Sequence, residues 1–168
     1  FRMVLAEDLK KWAKENKKQN GESYNIYTDG LKIYTTIDTR LQKYAEEAAT
    51  QHLSRYQGIF NAQFAGGWKP WETDAGKKIL ETACKYTDRW AALKEQGVSN
   101  DDILKNFKTD KHRMKVFTYK GLKDTTLSPY DSVKYYKSFL QVGFMAVEPY
   151  TGYVRAWVGG PNFEYFKY

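Results

Sequence analysis

Cysteine and histidine are nearly absent: the chain has one cysteine, Cys84, and two histidines, His52 and His112. A lone cysteine excludes an internal disulfide and a thiolate metal cluster, and reads as a small core residue. Neither histidine has a second ligand at a metal-binding spacing, so a zinc or iron site has no support. His52 falls on the apolar face of its helix and reads as a core histidine. No apolar run approaches the ~20 residues of a membrane span, and Phe1 opens into a helical pattern without a signal-peptide layout, so the chain is expected to be soluble. A phosphate loop is missing too. Trp71 stands where a glycine would have to precede Gly76, and Gly159-Gly160 lacks the following helix of a dinucleotide loop, so no cofactor is implied. There is no internal repeat and no low-complexity tract.

What is present is aromatic and basic. Aromatics make up 17% of the chain, 14 of them Tyr, which join apolar area to a polar tip and suit half-buried faces. At 168 residues and 42% hydrophobic, the chain can bury the core of one domain or two small ones. The net charge of +7 favours acidic partners without choosing among them. Lys10, Lys11, Lys14, Lys17 and Lys18 cluster in the first helix and read as a solvated face.

The pattern predicts an α+β fold of mixed helices with a small antiparallel sheet that includes a C-terminal β-hairpin. Residues 1–18 place Phe1, Val4, Leu5, Leu9 and Trp12 on one helix face, ended by Gly21. With Phe1 as its first core residue and no N-cap, the chain is expected to be cut from a longer one. In DGLKIYTTID, Leu31, Ile33, Thr35 and Ile37 alternate with Lys32, Tyr34 and Thr36, which predicts a half-buried strand. Asp38 or Thr39 then caps a helix, Thr39 with Gln42 matching a capping box, and Leu41, Tyr44, Ala45, Ala48 and His52 form its apolar face.

Beyond residue 57, FNAQFAGGWKPWETDAGKK reads as a loop, followed by one helix through Ile79, Leu80, Ala83, Trp90 and Leu93 that Gly97 stops. SNDDILKNF predicts a short capped helix with Ile103, Leu104 and Phe107 inward, Asp101 and Asp102 suiting its first turn. A strand is expected at 113–119, then a helix with Ser128 as N-cap, Pro129 first and Asp131 in the capping-box slot, burying Val133, Tyr136, Phe139 and Leu140. Finally, Phe144 to Val147 and Val154 to Val158 predict a hairpin turned at Pro149 and Gly152. Its first strand is apolar on both faces, which calls for a central place under helices. Trp68 and Trp71, beside Gly66, Gly67 and Lys69, are candidate interaction residues, either a stacking platform or pins for a long loop.

Two stretches resemble a known family. YTDGLKIYTTIDTRLQKYAEEA and, downstream, AVEPYTGYVRAWVGG with the closing YFKY are similar to the class A penicillin-binding proteins, bifunctional enzymes of peptidoglycan synthesis. The first resembles the strand and helix between the two catalytic domains, the second the opening hairpin of the transpeptidase sheet. MKVFTYKGLKDTTLSPYDSVKYY resembles the stretch leading into the transpeptidase, and the first helix resembles the end of the glycosyltransferase's trailing segment. The resemblance implies a linker region at 1–56, a helical accessory insertion at 57–112, where the likeness is weakest, and the incomplete beginning of a transpeptidase domain at 113–168. A strand running directly into a capped helix would then act as a structural joint.

The family's catalytic residues do not carry over. Its transpeptidase uses a serine activated by a lysine three places on, with SxN and KTG elements beyond. Here Ser128 is followed at that distance by Asp131, Ser132 by Tyr135 and Ser138 by Gln141; the one SxN, Ser23 to Asn25, lies upstream, and KTG is absent. The expectation is a linker and scaffold fragment without an active site of its own, extracytoplasmic as part of a membrane-anchored, periplasmic parent. Its partners would be the parent's glycosyltransferase and transpeptidase domains, with membrane contact only through the parent's anchor and no nucleic acid. Self-association through the hairpin would follow from its missing sheet neighbours. The alternative is an envelope module binding peptidoglycan glycan or a cell-wall partner protein through 57–112.

Overall fold

The computed structural model of the chain describes residues 2–67, 69–162 and 164–166. In chain order the helices are α1 (Arg2–Glu15), α2 (Thr39–Ala65), α3 (Asp74–Lys85), α4 (Asp88–Glu95), α5 (Asn100–Thr109) and α6 (Pro129–Lys137), with a 3-10 turn at Pro70–Glu72. The strands are β1 (His112–Val116), β2 (Lys123–Leu127), β3 (Phe144–Val147) and β4 (Val154–Val158), paired as two separate antiparallel hairpins. The fold is α+β, as the patterning predicts. It divides into two units, Phe1–Ala49 with Val142–Gly160, and Thr50–Gln141 with Pro161–Tyr168.

In the first unit α1 buries Ala13, while Val4 and Trp12 stay substantially exposed; the expected anchor Phe1 lies outside the described residues. Trp12 stacks on Tyr24, and Gly21, at φ +83°, turns the chain back so that Lys17 and Ser23 bridge. Lys18 departs from the solvated lysine face: its ammonium meets the Asp29 carboxylate at 2.7 Å and holds that carboxyl below the usual range.

The expected strand at Leu31–Ile37 does not form. Ile33 is 43% and Tyr34 90% exposed, and the segment meets β4 only at its end. There the Asp38 N–H donates to the Arg155 carbonyl, but Thr36 donates through its hydroxyl to the Val154 carbonyl, and the Thr36 carbonyl accepts from the Arg155 guanidinium. Side chains occupy the positions that ladder bonds would need, so alternation alone did not make a strand.

Asp38 caps α2. Its Oδ1 accepts from the amides of Arg40 and Leu41, and these bonds, Leu41 first, lower its pKa. The Thr39–Gln42 capping box is not made, because the Gln42 side chain is engaged by β4: it donates to the Trp157 carbonyl at 2.9 Å and accepts from the Trp157 N–H at 2.8 Å. β3 and β4 pair with a bulge at Ala146/Val147, and Gly152 takes φ +71° in the turn. Ala156 and Val158 of β4 are buried, whereas Phe144, Met145 and Val147 of β3 are each about half exposed. The central, covered position expected for β3 is not found among the described residues.

In the second unit α2 continues to Ala65, through the first six residues of the stretch expected to be loop. Its buried line runs through Leu53 and Gln57, so His52, one residue around the helix, is exposed and stacks on Tyr56 at 4.4 Å between centroids. The core-histidine reading is therefore overturned. Phe60 and Phe64 meet edge-on at 5.0 Å, and Gly67 at φ +101° ends the helix.

The single helix expected at 79–93 is two. The Thr87 hydroxyl donates to the Cys84 carbonyl at 2.7 Å and accepts from the Trp90 N–H, closing α3 and opening α4. Cys84, Trp90, Ile103 and Phe107 form the core of this helical group, with Leu93, Val98, Leu104, Tyr130 and Val133 around it. Burial, with Glu81 nearby, pushes the Cys84 thiol up to about 11, so it sits there as an inert thiol. β2, a polar strand with no apolar alternation to announce it, pairs with β1 from His112↔Leu127 to Val116↔Lys123. Ser128 is fully buried and caps α6 as predicted, accepting from the Asp131 N–H at 3.0 Å.

A second, aromatic packing centre forms around Phe117, which touches Tyr119, Phe139, Tyr165 and Phe166. Two tyrosines of α6 satisfy its main chain: Tyr135 Oη donates to the Phe117 carbonyl at 2.7 Å, and the Phe117 N–H donates to Tyr136 Oη at 3.2 Å. The polar tips that the composition offered are used on buried backbone.

Gly76 sets the closest approach in this unit. A Cβ there would lie 2.0 Å from the Pro70 carbonyl oxygen and 3.0 Å from the Trp71 Cα, both backbone atoms that cannot swing away. Alanine gains about 1 kcal/mol of helix propensity over glycine, but the overlap outweighs it. Gly76→Ala is expected to lose about 1–3 kcal/mol in urea unfolding; a gain in stability would show that the turn can move off α3.

Candidate functional site

The C-terminal end of α6 is where α2, the 3-10 turn and α6 are fastened together. Gln57, only 5% exposed, donates through Nε2 to the Ser138 carbonyl at 2.9 Å and accepts at Oε1 from the Leu140 N–H at 2.8 Å. Its amide thus replaces a peptide group opposite residues 138–140, and Nε2 also reaches Asn61 Oδ1 at 2.9 Å. Sequence reasoning missed this residue, since a glutamine on a long helix normally faces water.

Trp71 arrives from the other side. Its indole Nε1–H donates to Ser138 Oγ at 3.0 Å, and that hydroxyl donates to the Lys134 carbonyl at 2.8 Å. Around this chain of bonds lies an open cleft of about 290 Å³ lined by Phe64, Lys69, Trp71, Glu72, Lys134 and Ser138. Lys69 and Glu72 pair at 3.4 Å, while Lys134 meets no carboxylate at ion-pair distance among the described residues. Trp71, one of the two candidate interaction residues, is half-buried here with its ring plane set by the bond to Ser138. Trp68, the other, lies outside the described residues.

The Ser138 proton is committed to the Lys134 carbonyl, and among the described residues no imidazole or carboxylate is hydrogen-bonded to its hydroxyl. The histidines are elsewhere: His52 on Tyr56, and His112 against Asp110 at 2.9 Å. Asp110 also takes Arg89 at 2.6 Å; that bond first, then His112, holds its carboxyl below the usual range. Asp102 accepts the Ser99 hydroxyl at 2.6 Å in the first turn of α5, a capping role.

Removing the Gln57 amide leaves the Leu140 N–H and the Ser138 carbonyl without their partner in a partly buried region. Gln57→Leu is expected to cost about 1–3 kcal/mol by urea unfolding, with faster hydrogen exchange at the Leu140 amide. Unchanged exchange at Leu140 would mean that this clamp does not hold the end of α6.

Comparison with known proteins bears on the part of this site that follows residue 66. No curated protein and no solved structure matches the chain. The matched segment begins in the stretch that the sequence resemblance left weakest and runs through α3, α4, α5, the β1–β2 hairpin and α6. Residues 67–140 match the family model of the penicillin-binding protein middle domain, and this match supports a penicillin-binding protein fragment.

Proposed function

We propose that the chain is a non-catalytic connecting and bracing section of a peptidoglycan synthase whose parent polymerises glycan and crosslinks its peptides. The observation that carries this reading is the middle-domain match over 67–140. The sequence adds to it: no serine is followed three places on by lysine, and KTG is absent. On this reading residues 1–56 join the parent's catalytic domains, and 113–168 open its transpeptidase. The family is extracytoplasmic, and no helix among the described residues is long and apolar enough to cross a membrane.

The test is labelling by a fluorescent penicillin, comparing this chain with a longer one from the same protein that includes the serine-x-x-lysine segment. Acylation of the longer chain alone is the expected result. Labelling of the shorter chain would remove the non-catalytic reading, and a folded longer chain that takes no label would remove the transpeptidase.

A second reading, glycan binding, is favoured by one observation, the cleft beside the fixed indole of Trp71 with Lys134 at its edge. Aromatic faces and cations together suit acidic sugars. Soluble muropeptides would then bind saturably and at least about tenfold more weakly to Trp71→Ala that keeps its helical circular dichroism, a loss of about 1.4 kcal/mol or more. Absence of binding to the unmodified chain would dispose of this reading.

A further inference from the structure

Helix α3 carries two lines of small and apolar residues. Gly76, Leu80 and Cys84, four apart, are buried against the turn and the helical core. The other line, Ala75, Ile79, Ala83 and Tyr86, with Thr82 beside it, faces an open groove of about 520 Å³ completed by Lys78 and by Lys137 from the last turn of α6. Its large side chains are unusually bare: Ile79 is 54% and Tyr86 83% exposed. A helix needs only one apolar face to join a core, so the outward line is not explained by folding of this unit.

The charges at the groove have one sign. Lys78 and Lys137 meet no carboxylate at ion-pair distance among the described residues, whereas nearby Lys77 pairs with Asp74 at 3.8 Å and Lys108 with Glu81 at 3.6 Å. The groove therefore combines an apolar floor with two ammonium groups that meet no carboxylate among the described residues. A nucleic acid would need more phosphate contacts and stacking surface than two lysines and one tyrosine provide. A helix with apolar side chains at i, i+3, i+4 and i+7 and carboxylates on its flanks fits both features. From Ala75 to Tyr86 the floor spans about 16 Å at 1.5 Å per residue, about three turns of such a helix.

We propose that this face of α3 and α6 is a docking site for an acidic amphipathic helix of a partner protein. The proposal stands apart from the Trp71 cleft and does not depend on either reading of it. The lysines steer and orient the partner, and Ile79 and Tyr86 supply the buried contact.

The probes are two synthetic helical peptides with the same leucines at i, i+3, i+4 and i+7, one carrying glutamates and the other lysines on the flanks. Both are titrated into the full 168-residue chain, read by fluorescence anisotropy and by amide shifts along α3. The acidic peptide should bind at least about tenfold tighter than the basic one, a difference of about 1.4 kcal/mol. Ile79→Ser should abolish that binding, and the double change Lys78→Glu with Lys137→Glu should reverse the preference toward the basic peptide. A reversal cannot come from misfolding, which keeps the test sound if one variant is unstable. Binding of neither peptide, equal binding of both, or a preference unmoved by the double change would overturn the proposal. So would a sedimenting dimer that Ile79→Ser dissolves, which would make a second copy the occupant.

Discussion

A side-chain amide taken out of water must find both a donor and an acceptor, and the cost of leaving either unmet exceeds the worth of the bond itself. Helix α2 sets a glutamine amide against distant main chain once in each unit, Gln57 buried and Gln42 half-buried. Gln42 clamps the N–H and carbonyl of Trp157, and Gln57 clamps the Ser138 carbonyl and the Leu140 N–H. Both partners are distant in sequence and have no strand paired on that side among the described residues, so in each unit a side chain does what a neighbouring strand would do. Few other polar contacts between distant segments leave so little latitude in where the chain must run.

The helical group of the second unit rests on different physics. Cys84, Trp90, Ile103 and Phe107 close a small dry core, and capping by Thr73, Thr87, Ser99 and Ser128 fixes where each of its helices starts. Gly76 lets α3 lie against the main chain of Pro70 and Trp71 at a distance no other residue permits. Tyrosines then complete the backbone of Phe117, so the high tyrosine content is spent partly on hydrogen bonds in a crowded aromatic region.

What the sequence revealed follows from whether the signal was local. Caps are local: Ser99 and Ser128 were readable because the amides that they satisfy lie three residues on. The β3–β4 hairpin was readable for the same reason, through its turn residues. Leu31–Ile37 failed because a strand is made by its partner, and the guanidinium of Arg155, 119 positions from Thr36, takes the carbonyl a ladder would have used. β2 was invisible because its alternation is polar on both faces. At the cleft, Trp71 was legible as an aromatic beside glycines; that it is tied to Ser138, 67 positions away, was not. Gln57 carried no signal at all, since burial of one glutamine on a polar helix depends wholly on what packs against it.

The connectivity of the first unit has a bearing on the order of events during synthesis. Its parts, Phe1–Ala49 and Val142–Gly160, are separated by most of the second unit, and the bonds joining them run from Thr36 and Asp38 to Val154 and Arg155 and from Gln42 to Trp157. None of these bonds can exist until the ribosome has passed residue 154, and the Gln42 bonds not until it has passed 157. The core of α3, α4 and α5 is complete about fifty residues earlier, made of contacts close in sequence, which close fastest. The emerging chain thus holds Thr36 to Gln42 in waiting, without β4, while the middle section folds. Once that section is compact, the loop to be closed is shorter in effect than its residue count, and the entropy of bringing Val154 to Thr36 falls accordingly.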